Sequence, residues 1–318
     1  MAQVLISGAS GTIGSTLCST LEARGHTIRR LVRQRANMRP DDIYWSVESK
    51  TIETERLEGV DVVVHLAGKP LDEKRWSPAE KTAIYRSRID GTRLLSETVA
   101  SLASRPRLFI SASATDYYAS NDAAVDETTG QPGAGFVSRM CQDWEEATAA
   151  AARAGIRVVN LRIPTVLSAE GHGILTTLLP LFRLGLGPVL GSGRQLMCFI
   201  ARDDLARAVE HIMARDDIEG PVNVLAPETV TFRQFAKTVG ELVHRPVFLR
   251  VPGLVLRLAM GEVADMVLEG DTRLVPRKLL STGFRFEFPD LRSALRHELC
   301  QTERLLVAAS RLKRNAIP

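Results

Sequence analysis

Cysteine is sparse in this chain: Cys18, Cys141, Cys198 and Cys300 stand far apart, with no CxxC pair and no Cys/His cluster. That spacing leaves no zinc motif, so no metal is expected, and a disulfide framework is not expected in a chain of 318 residues. Long apolar runs are missing too. No stretch approaches the roughly 18 consecutive apolar residues that mark a transmembrane segment. The start, MAQVLISGASG, lacks a basic region followed by a cleavable apolar segment, which makes a cytoplasmic address the expectation. There is no internal repeat and no low-complexity linker. A formal charge of +4 suits an anionic cofactor or substrate, although small positive charges are common in soluble enzymes. No basic, aromatic-interleaved stretch accompanies it, so nucleic-acid binding is not expected.

What is present is an alternation of strand and helix patterns. Residues 3–7 form a short apolar run that stops at Gly8, as a buried parallel strand does. A helix is expected from Thr12 to Arg24 with Gly25 as its C-cap, then a strand over 27–32. The run DVVVHL at 61–66 is the clearest strand. A helix over 78–102 follows, with Pro78 in its first turn, then a strand over 107–113. An Ala-rich helix over 136–154 ends at Gly155, and 157–163 is the next strand. Such alternation argues for right-handed βαβ units and an α/β fold built on a doubly wound parallel sheet.

After Pro164 the character changes. Residues 171–195 carry six glycines and two prolines, too loop-rich for another regular βα unit. A helix near 203–214 and a strand near 221–225 return to the sheet, and 227–299 reads as a smaller mixed segment. The expected organisation is a dinucleotide-binding domain from 1–166 with 203–226 and a substrate lobe from 167–202 with 227–299. The lobe would roof the carboxyl ends of the strands. The tail, 300–318, has the pattern of an amphipathic helix with a basic end.

The strongest signal is Gly8-Ala9-Ser10-Gly11-Thr12-Ile13-Gly14, which follows the first strand and opens a helix. Gly8 permits the tight turn, Gly11 lets backbone approach a pyrophosphate, and Gly14 lets helix pack closely on strand. Ser10, Thr12 and Ile13 complete the loop, whose free N–H groups and positive helix end face the phosphates. This is the Rossmann arrangement. The end of the second strand selects the nucleotide. An acid there would bind the ribose hydroxyls, but residues 27–35 contain none. Arg33 falls where a 2′-phosphate would lie and Arg35 is close by, so NADP(H) is the cofactor expected; the other reading is a solvated basic loop.

These motifs resemble the NAD-dependent epimerase/dehydratase superfamily, the extended short-chain dehydrogenases/reductases. Asp61-Val62-Val63-Val64-His65-Leu66-Ala67-Gly68 resembles its DxVxHLA strand, which implies that Leu66, Ala67 and Gly68 flank the nucleotide. Ser111-Ala112-Ser113-Ala114-Thr115-Asp116-Tyr117 is similar to its fifth-strand motif, with Ser113 at the catalytic serine position. Phe199-Ile200-Ala201-Arg202-Asp203-Asp204-Leu205 resembles the segment that re-enters the nucleotide domain, with Ala201 where many members have histidine. The match is closer still to a subfamily called epimerase family proteins, whose substrate is uncertain. Its marks include Ser87-Arg88-Ile89-Asp90-Gly91-Thr92, Cys141-Gln142-Asp143-Trp144-Glu145, Gly191-Ser192-Gly193-Arg194-Gln195 and Pro276-Arg277-Lys278-Leu279-Leu280. The resemblance spans about residues 3–299.

One departure matters. Ordinary members carry YxxxK on the helix after the fifth strand; its tyrosine exchanges a proton with the substrate and its lysine lowers that tyrosine's pKa. Here that helix begins Phe136-Val137-Ser138-Arg139-Met140-Cys141 and has no such pair. Three readings follow. Tyr117 or Tyr118, beside Ser113, serves as the acid/base with Arg88 or Arg139 as its cationic neighbour, or both tyrosines merely pack. Cys141 acts as nucleophile, or is a buried thiol. Alternatively the protein is a non-catalytic NADP(H)-sensing regulator. Arg88, in place of the usual asparagine, is a candidate cofactor contact. Residues 191–195 either receive an anionic substrate or form a hairpin turn. His172 is either an acid/base or a loop residue. Glu262 and Asp265 share a helical face, toward substrate or toward solvent. Expected partners are a small-molecule substrate and, as an option, a second copy of the chain in a homodimer.

Overall fold

A computed structural model describes residues 1–36, 38–71 and 75–301. From the N-terminus its elements are β1 (Gln3–Ser7), α1 (Thr12–Ala23), β2 (Thr27–Val32), β3 (Ile43–Ser46), β4 (Thr51–Ile52), β5 (Val62–His65), α2 (Pro78–Ser101) and β6 (Leu108–Ala114). Next come α3 (Phe136–Glu146), α4 (Ala149–Arg153), β7 (Arg157–Ile163), β8 (Thr165–Leu167), α5 (Ile174–Arg183), β9 (Pro188–Leu190), β10 (Leu196–Met197) and β11 (Phe199–Ala201). The remainder is α6 (Arg202–Met213), β12 (Gly220–Asn223), β13 (Val230–Thr231), α7 (Phe232–Leu242), β14 (Leu249–Val251), α8 (Gly253–Met260), α9 (Val263–Leu268) and α10 (Arg277–Ser281). Residues 291–301 are also helical.

Eight strands form the main sheet in the order β12-β7-β6-β5-β1-β2-β3-β4. Its pairings are parallel except β3 with β4. The alternation of side chains explains why helices cover both faces. Val4, Ile6, Val62, Val64, Leu108 and Ile110 join a core with Leu17 and Leu21 of α1 and Leu205 and Val209 of α6. Their neighbours Leu5, Val63 and Phe109 point the other way, onto Leu95 and Val99 of α2 and Ala151 of α4. Each such side chain, fully buried, contributes roughly 1.5–3 kcal/mol. The chain leaves β1 for β2 on one side and returns to β5 on the other. The topological switch therefore lies at β1, where doubly wound sheets open a ligand crevice beyond the carboxyl ends of the strands.

A second apolar core gathers Leu175, Leu178, Leu179 and Phe182 of α5, Phe232, Phe235 and Val239 of α7, and Leu291 and Leu295 of the last helix. The parallel pair β8–β11 links it to the first core, since Ile200 packs in one and Phe199 and Ala201 in the other.

Three elements differ from the sequence reading. The helix expected over 136–154 is broken into α3 and α4. Thr148 Oγ1 donates to the Glu145 carbonyl (2.6 Å), and Ser96 from α2 accepts the Ala151 N–H (2.9 Å) and donates to the Thr148 carbonyl (3.1 Å). These bonds satisfy backbone groups that the break sets free. Residues 171–195 hold a ten-residue helix, α5, despite their glycines and Pro180, because four of its apolar residues are buried at helical spacing. Of the expected tail, Cys300 and Gln301 continue the last helix, and the rest lies outside the described residues. Among the described residues no helix is long and apolar enough to cross a membrane.

Candidate functional site

β1 stops at Ser7 because the next residue turns. Gly8 adopts φ +71°, a left-handed conformation that side chains disfavour, and its carbonyl accepts the Gly11 N–H at 3.0 Å. Gly11 is the N-cap of α1 and supplies no side chain to it, so first-turn N–H groups of the helix stay available to an anion. Gly14 is buried against the turn, and a Cβ there would lie 2.8 Å from the Ala9 Cα. Ser10 and Gly11 are exposed, Thr12 and Ile13 half-buried. The loop after β8 leans on this turn, with the His172 N–H 3.4 Å from Thr12 Oγ1.

A clasp joins the ends of β1 and β5. Ser7 Oγ lies 2.6 Å from His65 Nδ1 and accepts the N–H groups of Leu66 (3.1 Å) and Ala67 (3.2 Å). With both acceptor positions used, the serine proton goes to Nδ1, and the imidazole proton sits on Nε2. Burial holds the His65 pKa down at about 4, so the ring is neutral at physiological pH. The clasp fixes Leu66, Ala67 and Gly68 beside the glycine turn.

Beyond β2, Arg33 is exposed and makes no ion pair among the described residues. Arg35 is engaged, pairing with Glu53 (2.9 Å) and lying 3.9 Å over the Tyr44 ring. Arg88 falls on the buried face of α2, with Ile84, Gly91 and Leu95 at helical spacing. It donates to the Lys69 carbonyl (2.8 Å), its Nε is buried without a partner, and it packs beneath Gly68. No carboxylate pairs with it among the described residues, and burial lowers its pKa to about 10.

The carboxyl end of β6 holds a buried polar knot. Strand register sets Ser113 opposite Arg162 of β7. Glu145 from the last turn of α3 meets both: Arg162 grips it bidentately (2.8 and 2.8 Å) and Ser113 Oγ donates to it (2.8 Å). The Arg162 guanidinium lies 3.5 Å over the Tyr117 ring and 4.8 Å from the Tyr118 centroid. The cation beside the tyrosines is thus Arg162; Arg88 and Arg139 are not. Arg139 is occupied at the Ala134 carbonyl. The Tyr118 hydroxyl donates to Asn223 Oδ1 (2.7 Å), and burial pushes its pKa upward despite Arg162. Burial also drives the Cys141 thiol well above its ordinary range, which leaves it a packing residue.

Between the two cores lies a cleft of about 780 Å³. Its walls include Thr115, Asp116 and Tyr118 after β6, Phe136, Val137 and Ser138 of α3, Thr165 and Val166 of β8, and His172. The other side brings Gln195, Cys198, Glu262 and Asp265. Glu262 and Asp265 therefore face the cleft. Arg194 is exposed and contributes nothing to its lining, while Gln195 is buried and bonds the Leu190 and Val267 carbonyls. Where YxxxK would stand, α3 presents Phe136 and Val137. Sequence reasoning missed Glu145, Arg162 and Asp116; an arginine inside the buried strand RVVNLRI was the signal for the first two.

Glycine turn, switch point and cleft together define a dinucleotide-binding α/β protein. A family model described as the NAD dependent epimerase/dehydratase family matches residues 4–224, and a domain of unknown function (DUF1731) matches 251–298. The chain belongs to the NAD-dependent epimerase/dehydratase family. It is 40% identical over 294 residues to the epimerase family protein Mb2239 of Mycobacterium bovis, covering 92% of this chain and 96% of that one. It is 36% identical over 300 residues to the mouse epimerase family protein SDR39U1, covering 92% and 98%. The crystal structure of human SDR39U1 with NADPH superposes with a TM-score of 0.83 at 30% identity, covering 93% of this chain and 98% of that one.

Proposed function

We propose that the chain is an NADP(H)-dependent oxidoreductase or epimerase-like enzyme acting on a small metabolite in the cleft. The observation that carries this reading is the uncapped glycine turn at the sheet's switch point. The fit to a dinucleotide rests on that cradle, which a Cβ at Gly14 would fill, and on the orphaned Nε of Arg88. Gly8, Ser10, Gly11, Thr12, Ile13 and Gly14 hold the pyrophosphate, Arg33 meets the 2′-phosphate, and Leu66, Ala67, Gly68 and Arg88 line the remaining path. NADPH in the human relative's structure supports the phosphorylated form. In this reading residues 1–166 with 203–226 form the nucleotide domain, and 167–202 with 227–299 the substrate lobe.

The bound nicotinamide supplies the hydride chemistry. The chain's own groups handle protons and position. Ser113 donates a hydrogen bond to Glu145, which leaves its oxygen an acceptor, though it is buried and lies outside the cleft's lining. Tyr117, whose hydroxyl makes no hydrogen bond among the described residues, is assigned the proton exchange although Tyr118 is the one of the pair that lines the cleft; Tyr118 is tied to Asn223 and packs on Arg162. The test is NADPH oxidation and NADP⁺ reduction across panels of carbonyl compounds, alcohols and sugars. Turnover that falls about 10²- to 10⁴-fold in Tyr117→Phe is the expected result. Absence of turnover throughout defeats the enzyme reading. It leaves the second one, a non-catalytic NADP(H)-sensing regulator, which the apolar Phe136–Val137 wall favours.

A further inference from the structure

The acidic residues lining the cleft are Asp116, Glu262, Asp265 and Glu269, and His172, Tyr118 and Cys198 are its other titratable groups; no lysine or arginine lines it among the described residues. Two nearby cations are engaged, while Arg75, packed over Gly261, has no ion pair among the described residues. Lys81 pairs with Glu262, and Arg257 with Asp265 (2.7 Å) and Glu269 (3.8 Å). Arg162 is 3% exposed and held by Glu145. Asp116 differs from the other three acids. It makes no ion pair or hydrogen bond with another side chain among the described residues. It has surface open to the cleft but sits deep among protein atoms, and this loss of solvation pushes its pKa up. The cleft wall mixes polar groups with an apolar set that includes Leu71, Trp76, Phe136, Met197 and Phe232.

A nucleoside-diphosphate sugar would bring two phosphates into this space and find carboxylates there. Three of the four carboxylates are ion-paired, so the repulsion comes chiefly from Asp116, and no guanidinium or ammonium group among the described residues lines the cleft to receive a phosphate. Building on the functional reading above, we propose that the cleft takes a small, phosphate-free molecule with an apolar body and a donor group, an ammonium or a hydroxyl, received by the Asp116 carboxylate. This selectivity is local, because the chain as a whole carries +4.

Trp76 reports on the cleft, since it lines the wall while Trp45 and Trp144 are only 2% and 6% exposed. The experiment compares quenching of its fluorescence by caesium and by iodide, at matched ionic strength, in the NADP⁺-loaded protein and in Asp116→Asn. Relative to free N-acetyltryptophanamide, the caesium-to-iodide ratio of quenching constants should rise about threefold or more, as a cleft potential on the order of one kT requires. In Asp116→Asn the ratio should fall back toward that of the free compound. Calorimetric titration with UDP-glucose should give no saturable heat. A ratio at or below that of the free compound, a ratio untouched by the substitution, or saturable UDP-glucose binding overturns the proposal. Failure of NADP⁺ itself to bind, measured first by calorimetry, removes the functional reading and this proposal with it. An iodide-favouring cleft with NADP⁺ bound removes this proposal alone.

Discussion

Replacing His65 by asparagine tests the clasp that sets the nucleotide-facing ends of β1 and β5. In the folded protein the ring is fully buried, neutral and bonded to Ser7, with its pKa lowered from 6.5 to about 4. Between those values the unfolded chain binds a proton that the folded chain refuses. The histidine's contribution is therefore complete above its unfolded pKa and is lost as pH falls through the folded one. Worked through linkage, the loss is about 2 kcal/mol between pH 7 and pH 5 and about 3 kcal/mol by pH 4. Carboxylates titrate over part of this range, but they are common to both proteins and cancel in the difference. Asparagine keeps an acceptor near the position of Nδ1 and cannot titrate. Urea unfolding of both proteins at a series of pH values is the assay. His65→Asn should be the less stable at pH 7, and the gap should narrow by about 2 kcal/mol at pH 5. A gap that stays constant would refute the argument, since His65 would then titrate alike in both states.

Further outcomes follow from packing and pairing. Gly14→Ala forces a Cβ into the turn, so it should abolish nucleotide binding and cost roughly 1–3 kcal/mol, read by calorimetry and thermal melting. Arg162→Met strands the Glu145 charge and should cost about 3–5 kcal/mol. Adding Glu145→Leu should recover much of that loss, whereas simple additivity of the two losses in urea unfolding would contradict a coupled buried pair. Tyr118→Phe leaves Asn223 Oδ1 without its donor and should cost about 1–2 kcal/mol. It should nevertheless leave hydride transfer in place, in contrast to Tyr117→Phe; a loss of transfer equal to that of Tyr117→Phe would show that Tyr118 carries the proton.

The sheet was legible because its information is local. Strands 3–7, 27–32 and 157–163 announce themselves as apolar or β-branched runs bounded by glycine or proline, and the structure returns those spans. The glycine turn was legible for the same reason. What sequence hid depends on tertiary contact. The break after Glu146 needs Ser96 from another helix, and α5 is masked by glycines that belong to its flanks. The polar knot was hidden because Ser113, Glu145 and Arg162 meet only through sheet register and the seating of α3. Glu262 and Asp265 could be placed on one helical face but not aimed, since the direction of that face is set by packing far along the chain.

The most direct measurement is calorimetric titration with NADPH and with NADH, beside the Arg33→Ala variant. Micromolar NADPH affinity, much weaker NADH binding, and about 10- to 100-fold weaker NADPH binding in the variant are expected for a charge-assisted phosphate contact. Equal affinity for the two nucleotides would contradict the NADP(H) assignment, and binding of neither would contradict the function proposed for the glycine turn.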